Sequence, residues 1–239
     1  MNYLAPASSV VLPTPAAPLA GAVEWFCPTR SETVATLSDG SVVWRLSGQS
    51  RRFASDVIPL RAAVYGQPAE ACGDEYDERG AHYVLYRDDE PVYALRINHA
   101  SAGGIEGAAC YPDWLMERYG HALVEGCRFV GNPAAHHRPT LAREFLAACW
   151  ADCVARGVRV KIGNVIGKLL PYYHQHGFRL VRAPVFVHPK WGTKSYVVAL
   201  FANAALAAGV GARLPEIPDP VSMSEIDSIS TPIKIRSYA

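Results

Sequence analysis

Residues 122–163, ALVEGCRFVGNPAAHHRPTLAREFLAACWADCVARGVRVKIG, decide the fold. The run 122–130 is short and rich in apolar residues, as a strand is. Across 139–156, Leu141, Phe145, Cys149 and Cys153 recur at helical spacing and keep one apolar face. Pro139 is tolerated at the start of that helix, and Gly157 is placed to close it. VRVKIG (158–163) reads as a second strand. A strand, a helix and a strand in succession predict a parallel pair joined by a right-handed crossover. Gly126 inside the first strand signals a bulge or a close backbone approach.

Outward from this unit the chain alternates hairpins and helices. ETVATLSDGSVVWRL (32–46) has an Asp39–Gly40 turn between two alternating runs, a hairpin signal. A helix is expected from Asp56 to Tyr65, with Ser55 as N-cap and Pro59 in its first turn. GDEYDERG (73–80) is an acidic loop, and HYVLYRDDEPVYALRI (82–97) a second hairpin. YPDWLMERYG (111–120) forms a helix or turn. LPYYHQHGF (170–178) holds a short helix ending at Gly177, followed by two strands, FRLVRAPVFV and KSYVVALF. The order predicts an α/β protein with a mixed sheet and one main domain, residues 24–214. An Ala/Pro-rich lead-in (1–23) precedes it and a Pro/Ser-rich peripheral tail (215–239) follows.

Composition excludes several classes. With 50% hydrophobic and 19% charged residues the chain can bury a core. A net charge of +1 and a pI near 7.7 argue against nucleic-acid binding through bulk electrostatics. The six cysteines show neither a CxxC pair nor zinc-finger spacing, as in a reduced, cytoplasmic protein. Prolines at 6, 13, 15 and 18 break the apolar N-terminal segment, so neither a signal peptide nor a membrane span is expected. His136–His137 and His174-x-His176 lack a Cys or carboxylate at ligand spacing, so no metal site is expected.

The functional signal is a series of charges in core-like segments: Arg61, Asp74, Asp77, Arg96, Glu125 and Arg128. Arg96, Glu125 and Arg128 fall in runs that read as buried strands, where ionised groups are costly unless paired or serving a ligand. The three arginines and three carboxylates form either an ion-pair cluster around a polar substrate or a structural network.

Two pieces of sequence carry a family resemblance. LPYYHQHGF resembles the part of the GNAT acyltransferase fold where a tyrosine near the end of a short helix precedes Gly-Phe; Tyr173, Gly177 and Phe178 take those places. Arg61 followed by Tyr65, the acids of GDEYD, the arginine of YALR and the Glu-x-x-Arg-Phe of EGCRF are together similar to acyl-homoserine-lactone synthases and N-acyl amino acid synthases. The similarity spans roughly residues 55–130 for the charges and reaches about 180 for the fold. It implies a GNAT-like, mostly antiparallel sheet flanked by helices.

Two departures shape the expectation. Acetyl-CoA enzymes of this fold carry a glycine loop whose successive N–H groups cradle the CoA pyrophosphate. Here the place reads GNPAAHHRPTLAREF, with Pro133 and Pro139 each lacking an N–H and no glycine between Gly131 and Gly157. An acyl-phosphopantetheine on acyl carrier protein is therefore the expected donor, with acyl-CoA the alternative and no bound cofactor. The basic residues Arg138, Arg143, Arg156 and Arg159 and the histidines could rim the site for that acidic partner. Where lactone synthases have Gly-Trp, this chain has Gln67–Pro68, which favours an amino acid as the small amine acceptor over S-adenosylmethionine.

On this resemblance Glu125 is the candidate base for the attacking amine or, alternatively, only a counter-charge to Arg96 or Arg128. Tyr173 is the candidate acid for the leaving thiolate, or a core aromatic. A backbone N–H near Phe129–Gly131 would hold the oxyanion. Arg96 and Arg128 would clamp an acceptor carboxylate, Asp74 and Asp77 would order that shell or receive the ammonium, and Arg61 would structure the acidic loop. Cys127, on the face of Glu125, leaves a thiol route open. A catalytically inactive sensor or assembly subunit of the same fold is the alternative from another class.

Overall fold

The Asp39–Gly40 turn closes a hairpin of β1 (Glu32–Thr36) and β2 (Val42–Ser47), with Gly40 at φ +85°. Only a left-handed backbone fits there, and glycine takes it without a Cβ penalty. This computed structural model describes residues 30–102, 104–135, 139–189, 192–209, 214, 217 and 219–234. The lead-in 1–23 and the residues His136, His137 and Arg138 lie outside them. A second hairpin follows, β3 (Ala81–Arg87) and β4 (Glu90–His99); Asp88 and Asp89 both have positive φ at its turn. Two positive φ values match the right-handed twist of the flanking strands.

The decisive unit forms as its pattern predicts. Strand β5 (Leu123–Gly131), helix α3 (Pro139–Ala155) and strand β6 (Val160–Ile166) give the parallel pair, and Gly157 ends the helix at φ +91°. Every other pairing in the ten-stranded sheet is antiparallel. Its order is β1-β2-β3-β4-β5-β6, then β9 (Lys194–Phe201), β7 (Arg179–Val181) and β10 (Ser230–Thr231), with β8 (Phe186–Val187) also on β9. Helix α3 covers one face, where Phe145, Cys149 and Cys153 pack on Tyr83, Ile97, Val124 and Val198. The opposite face is covered by α1 (Ile58–Tyr65), α2 (Asp113–Tyr119) and α6 (Met223–Ile229). The short helices α4 (Leu170–Gln175) and α5 (Ala204–Gly209) complete the described elements.

Four details differ from the sequence reading. The first helical segment begins at Arg51, with Ser50 capping it by accepting the Phe53 N–H on Oγ at 3.1 Å, whereas the Ser55 hydroxyl turns to Asp56. Pro59 is thus interior. A π-helical turn at Phe53–Val57 ends two residues before it, an irregularity that relieves the clash a proline ring makes one turn back. FRLVRAPVFV gives two strands rather than one, because Pro184 lacks the N–H that a continuous ladder needs. The segment beyond Leu214 is not wholly peripheral: Val221, Ile226 and Ile229 are buried, and Ser230–Thr231 add a strand. Burying such aliphatic side chains is worth roughly 1.5–3 kcal/mol each, and the hydrophilic composition around them concealed it.

Candidate active site

The site lies where β5 changes partners. It pairs with β6 only through Leu123, Val124 and Glu125, after which the two strands part. On its other edge β5 carries a bulge. Cys127 faces Arg96 and Val130 faces Ala94, so Arg128 and Phe129 stand opposite Leu95 alone. Arg128 takes φ +54°, the left-handed value at the first bulge position. A non-glycine residue held there is strained, and such strain persists only where the surroundings over-determine it. The surroundings here are ion pairs.

The structure brings the predicted charges together. Arg61 Nη1 donates to both oxygens of Asp77 at 2.9 Å and to the Cys72 carbonyl at 3.1 Å. Arg96 Nη1 donates to Asp74 and, at 2.8 Å, to Asp77; its Nη2 reaches Glu106 Oε2 at 2.7 Å. Arg128 Nη2 reaches Asp74 Oδ2 at 2.6 Å and Glu106 Oε1 at 3.0 Å. Three guanidinium groups thus meet three carboxylates, and Arg96 is fully buried. Burial works against the Asp74 charge, but the Arg96 hydrogen bond and the two arginine charges outweigh it and lower its pKa. The Arg128 Nε–H is buried without a partner, although its other end is engaged. Tyr65 lies beside the same guanidinium.

Glu125 stands apart from this cluster. Its carboxylate accepts the N–H of Glu106 at 2.7 Å, the N–H of Gly107 at 3.0 Å and the Tyr111 hydroxyl at 2.6 Å. Asn164 of β6 donates to that hydroxyl at 3.3 Å, so the chain of bonds crosses from β5 to the parted strand. No ion pair joins Glu125 to Arg96 or Arg128 among the described residues. The counter-charge alternative for Glu125 therefore has no contact behind it. Burial raises the Glu125 pKa, the Tyr111 bond opposes this, and the Glu106 charge adds to it. A side chain at Gly107 would crowd the site: a Cβ there would lie 2.6 Å from Glu125 Oε1 and 2.8 Å from the Tyr111 side chain.

The remaining predicted residues divide. Tyr173 sits in α4, edge-on to Phe178 at 5.0 Å, and burial pushes its hydroxyl up to about 12. It keeps its proton at neutral pH. Gly177 caps the helix at φ +81° as expected, while Phe178 precedes β7 rather than starting it. The Phe129 ring is partly exposed and stacks on Tyr93 at 5.8 Å. The Cys127 thiol receives hydrogen bonds from Arg96 Nε at 3.3 Å and Asn98 at 3.5 Å, and burial pushes it up to about 12, which disfavours a thiolate nucleophile. Of the expected basic rim, Arg156 pairs with Asp152 and Glu32, and Arg159 with Asp219, so these two are engaged within the chain. No cluster of potential metal ligands, no disulfide and no helix able to span a membrane occurs among the described residues.

Sequence reasoning missed Glu106 and Tyr111. Both lie in loop and turn sequence, where an acid or aromatic is ordinary; only their convergence on Arg96, Arg128 and Glu125 makes them part of the site.

No known family model matches the chain, and no curated protein does. Solved structures do. The AHL synthase LasI aligns at 15% identity over 74% of this chain and 96% of its own, with a TM-score of 0.59. FeeM, an N-acyl amino acid synthase from uncultured soil microbes, aligns at 14% identity over 67% and 91%, with a TM-score of 0.50. A putative N-acetyltransferase from Lactobacillus plantarum aligns at 18% identity over 67% and 97%, also at 0.50. The chain has a GNAT-like fold, a mixed, mostly antiparallel sheet flanked by helices.

Proposed function

We propose that the chain is an N-acyltransferase that moves a fatty acyl group from an acyl carrier protein thioester to the amine of a small polar acceptor, an amino acid first. One observation carries this reading: Glu125, a buried carboxylate with a raised pKa, is held by three hydrogen-bond donors and by no arginine, next to the parted strands. A carboxylate in that setting is able to take a proton from an amine, directly or through water. The nitrogen lone pair then attacks the thioester carbon. A backbone N–H at the Phe129 bulge stabilises the oxyanion, and collapse breaks the C–S bond. Tyr173 supplies the proton that the thiolate takes. The products are an amide and a free thiol.

The ion cluster positions the acceptor. Nearly all of Arg96 is engaged by Asp74, Asp77, Glu106 and Cys127, so it acts as a positioning residue. Arg128, with its buried, unpartnered Nε–H, is the better clamp for an acceptor carboxylate. Arg61 orders the acidic loop through Asp77. Transfer onto S-adenosylmethionine to give a lactone is the second reading, supported by the likeness to an AHL synthase, and acyl-CoA is the second donor. Five reduced thiols among the described residues are consistent with a cytoplasmic protein.

The test is to offer the purified protein long-chain acyl carrier protein or acyl-CoA with single amino acids or S-adenosylmethionine, following thiol release and product mass. The reading expects an N-acyl amino acid, formed faster from the carrier protein. Equal turnover with acetyl-CoA would remove the carrier protein from it, and no thiol release with any pair would overturn it.

A further inference from the structure

Glu106 is the loosest member of the ion cluster. Its side chain is 30% exposed, against 24% for Asp74, 15% for Arg128 and 5% for Asp77. Asp74 and Asp77 also hold backbone: Asp74 Oδ1 accepts the Tyr76 N–H at 3.0 Å, and Asp77 Oδ2 accepts the Asp74 N–H at 2.9 Å. The Glu106 carboxylate accepts from guanidinium groups alone among the described residues, Oε2 from Arg96 and Oε1 from Arg128. Its main chain is the fixed part. Ile105 is buried beside it, and the N–H groups of Glu106 and Gly107 are both held by Glu125. Rotation about the glutamate's own side-chain torsions therefore carries Oε1 elsewhere while the backbone stays in place.

The bond from Arg128 to Glu106 is incomplete. It uses Nη2 only, and the Nε–H on the same edge of the guanidinium is buried without a partner. A carboxylate lying along that edge would accept from both N–H groups and satisfy the donor that Glu106 leaves unmet. A carboxylate arriving alone carries a cost. The cluster balances three arginines against three carboxylates, and a fourth negative charge would be half-buried without compensation. A zwitterion adds no net charge. Its ammonium gives the displaced Oε1 a new partner, while Oε2 stays on Arg96. The exchange also brings the amine toward the base, because the Glu106 N–H lies 2.7 Å from Glu125 Oε2.

We propose that Glu106 is a specificity-determining residue. It stands in for the acceptor's carboxylate on Arg128, yields that place to an acceptor with carboxylate and ammonium on one carbon, and then holds the ammonium. This rests on the acyltransferase reading, which makes Arg128 the acceptor's clamp, and it narrows the small polar acceptor to one with both charges of an α-amino acid free. A plain amine has nothing with which to displace Glu106, and a plain acid leaves the displaced Oε1 unpaired.

The experiment titrates the full chain, without thioester, with matched sets: an amino acid, its carboxamide and its des-amino acid, taken from leucine, phenylalanine and methionine. It is run on the parent protein, on Glu106→Gln and on Glu75→Gln, a control that removes the same charge from the exposed side of the acidic loop. The parent is expected to bind the best of the three amino acids about 10–100-fold more tightly than either analogue, the worth of one hydrogen bond to a charged group. In Glu106→Gln the des-amino acid is expected to gain about tenfold or more while the carboxamide loses. Glu75→Gln should move neither by more than about twofold, since solvent screens its charge. Equal affinity of the parent for all members of every set, or for none, overturns the proposal. So does a Glu106→Gln that weakens all three alike, as a merely structural glutamate would, and so does the same divergence in Glu75→Gln. Should Glu106→Gln not fold, Glu106→Asp decides: one carbon shorter and still charged, it must cut the amino acid's advantage over the des-amino acid about tenfold, and an unchanged advantage overturns the proposal. Thiol release from acyl carrier protein is followed separately. Its absence with the binding pattern intact removes the acyltransferase reading and leaves Glu106 its role, whereas turnover without that pattern removes the role of Glu106 alone.

Discussion

The two faces of β5 treat buried charge in opposite ways. On the face toward α1 and α2, three arginines and three carboxylates satisfy one another almost completely, and Glu125 is held by neutral donors. On the face toward α3, the Lys161 stem packs among apolar side chains, and its amine, without an ion pair among the described residues, is not fully enclosed. Mutual pairing offsets the desolvation of the cluster, whereas the lysine buries its stem and keeps its amine out of full enclosure. The cluster thus combines stability and position. The comparison predicts that substitutions on the first face cost stability and that substitution on the second does not.

The largest effect is expected at Asp77, which accepts from both Arg61 and Arg96 and whose side chain is 5% exposed. Asp77→Ala leaves two buried guanidinium groups short of their counter-charge and should cost roughly 3–5 kcal/mol, read from chemical denaturation. Survival of this variant at parental stability would break the contrast between the faces.

Acid should erode the same region. Burial holds His82 at about 4, against an ordinary 6.5, and His82 Nε2 lies 2.9 Å from the Asp77 carbonyl. His99 is likewise held at about 4, by burial and the nearby His121. Between pH 6.5 and 4 the unfolded chain binds protons that the folded one refuses, so stability falls as pH falls through that window. A loss on the order of 3 kcal/mol per histidine is expected, and His82→Gln should roughly halve the total, leaving the His99 part. Asp74, whose pKa is depressed, loses its contribution only at lower pH. A scan flat from pH 6.5 to 4 would contradict the burial of both histidines.

Arginine-to-lysine changes sharpen the comparison within the cluster. Arg96→Lys keeps the charge but cannot serve Asp74, Asp77, Glu106 and Cys127 together, and it should cost about 1.5–3 kcal/mol. Arg128→Lys, at the partly open edge, should cost less than about 1 kcal/mol and instead raise the KM of the acceptor. Equal destabilisation by both would make Arg128 a structural residue.

Much of this was legible in the sequence for a physical reason. An arginine in YALRI or a glutamate in VEGCRF is anomalous because strands of that composition are buried, so Arg96, Glu125 and Arg128 declared themselves. The strand–helix–strand unit did so by its change of period. Glu106 and Tyr111 gave no such signal, since loops carry acids and aromatics freely. Lys161 was hidden by its own neighbours: between Val160 and Ile162 it reads as the solvent side of a half-buried strand, and only the packing of α3 over that side shows otherwise. Ser55 reads as the cap because Pro59 suggests a first turn just after it, and the π-helical turn that admits an interior proline leaves no mark in composition.

The most direct test of the account is Glu125→Gln, measured for both rate and stability on one preparation. Glutamine keeps the shape, removes the basicity and leaves no arginine unpaired, because none contacts Glu125; it gives up about one hydrogen bond, since its amide nitrogen cannot accept from the N–H groups that hold the two oxygens. The account predicts that kcat falls by roughly 10²–10⁴ while Tm moves by no more than a few degrees. A fully active variant, or one whose activity is lost only because the protein unfolds, would contradict it.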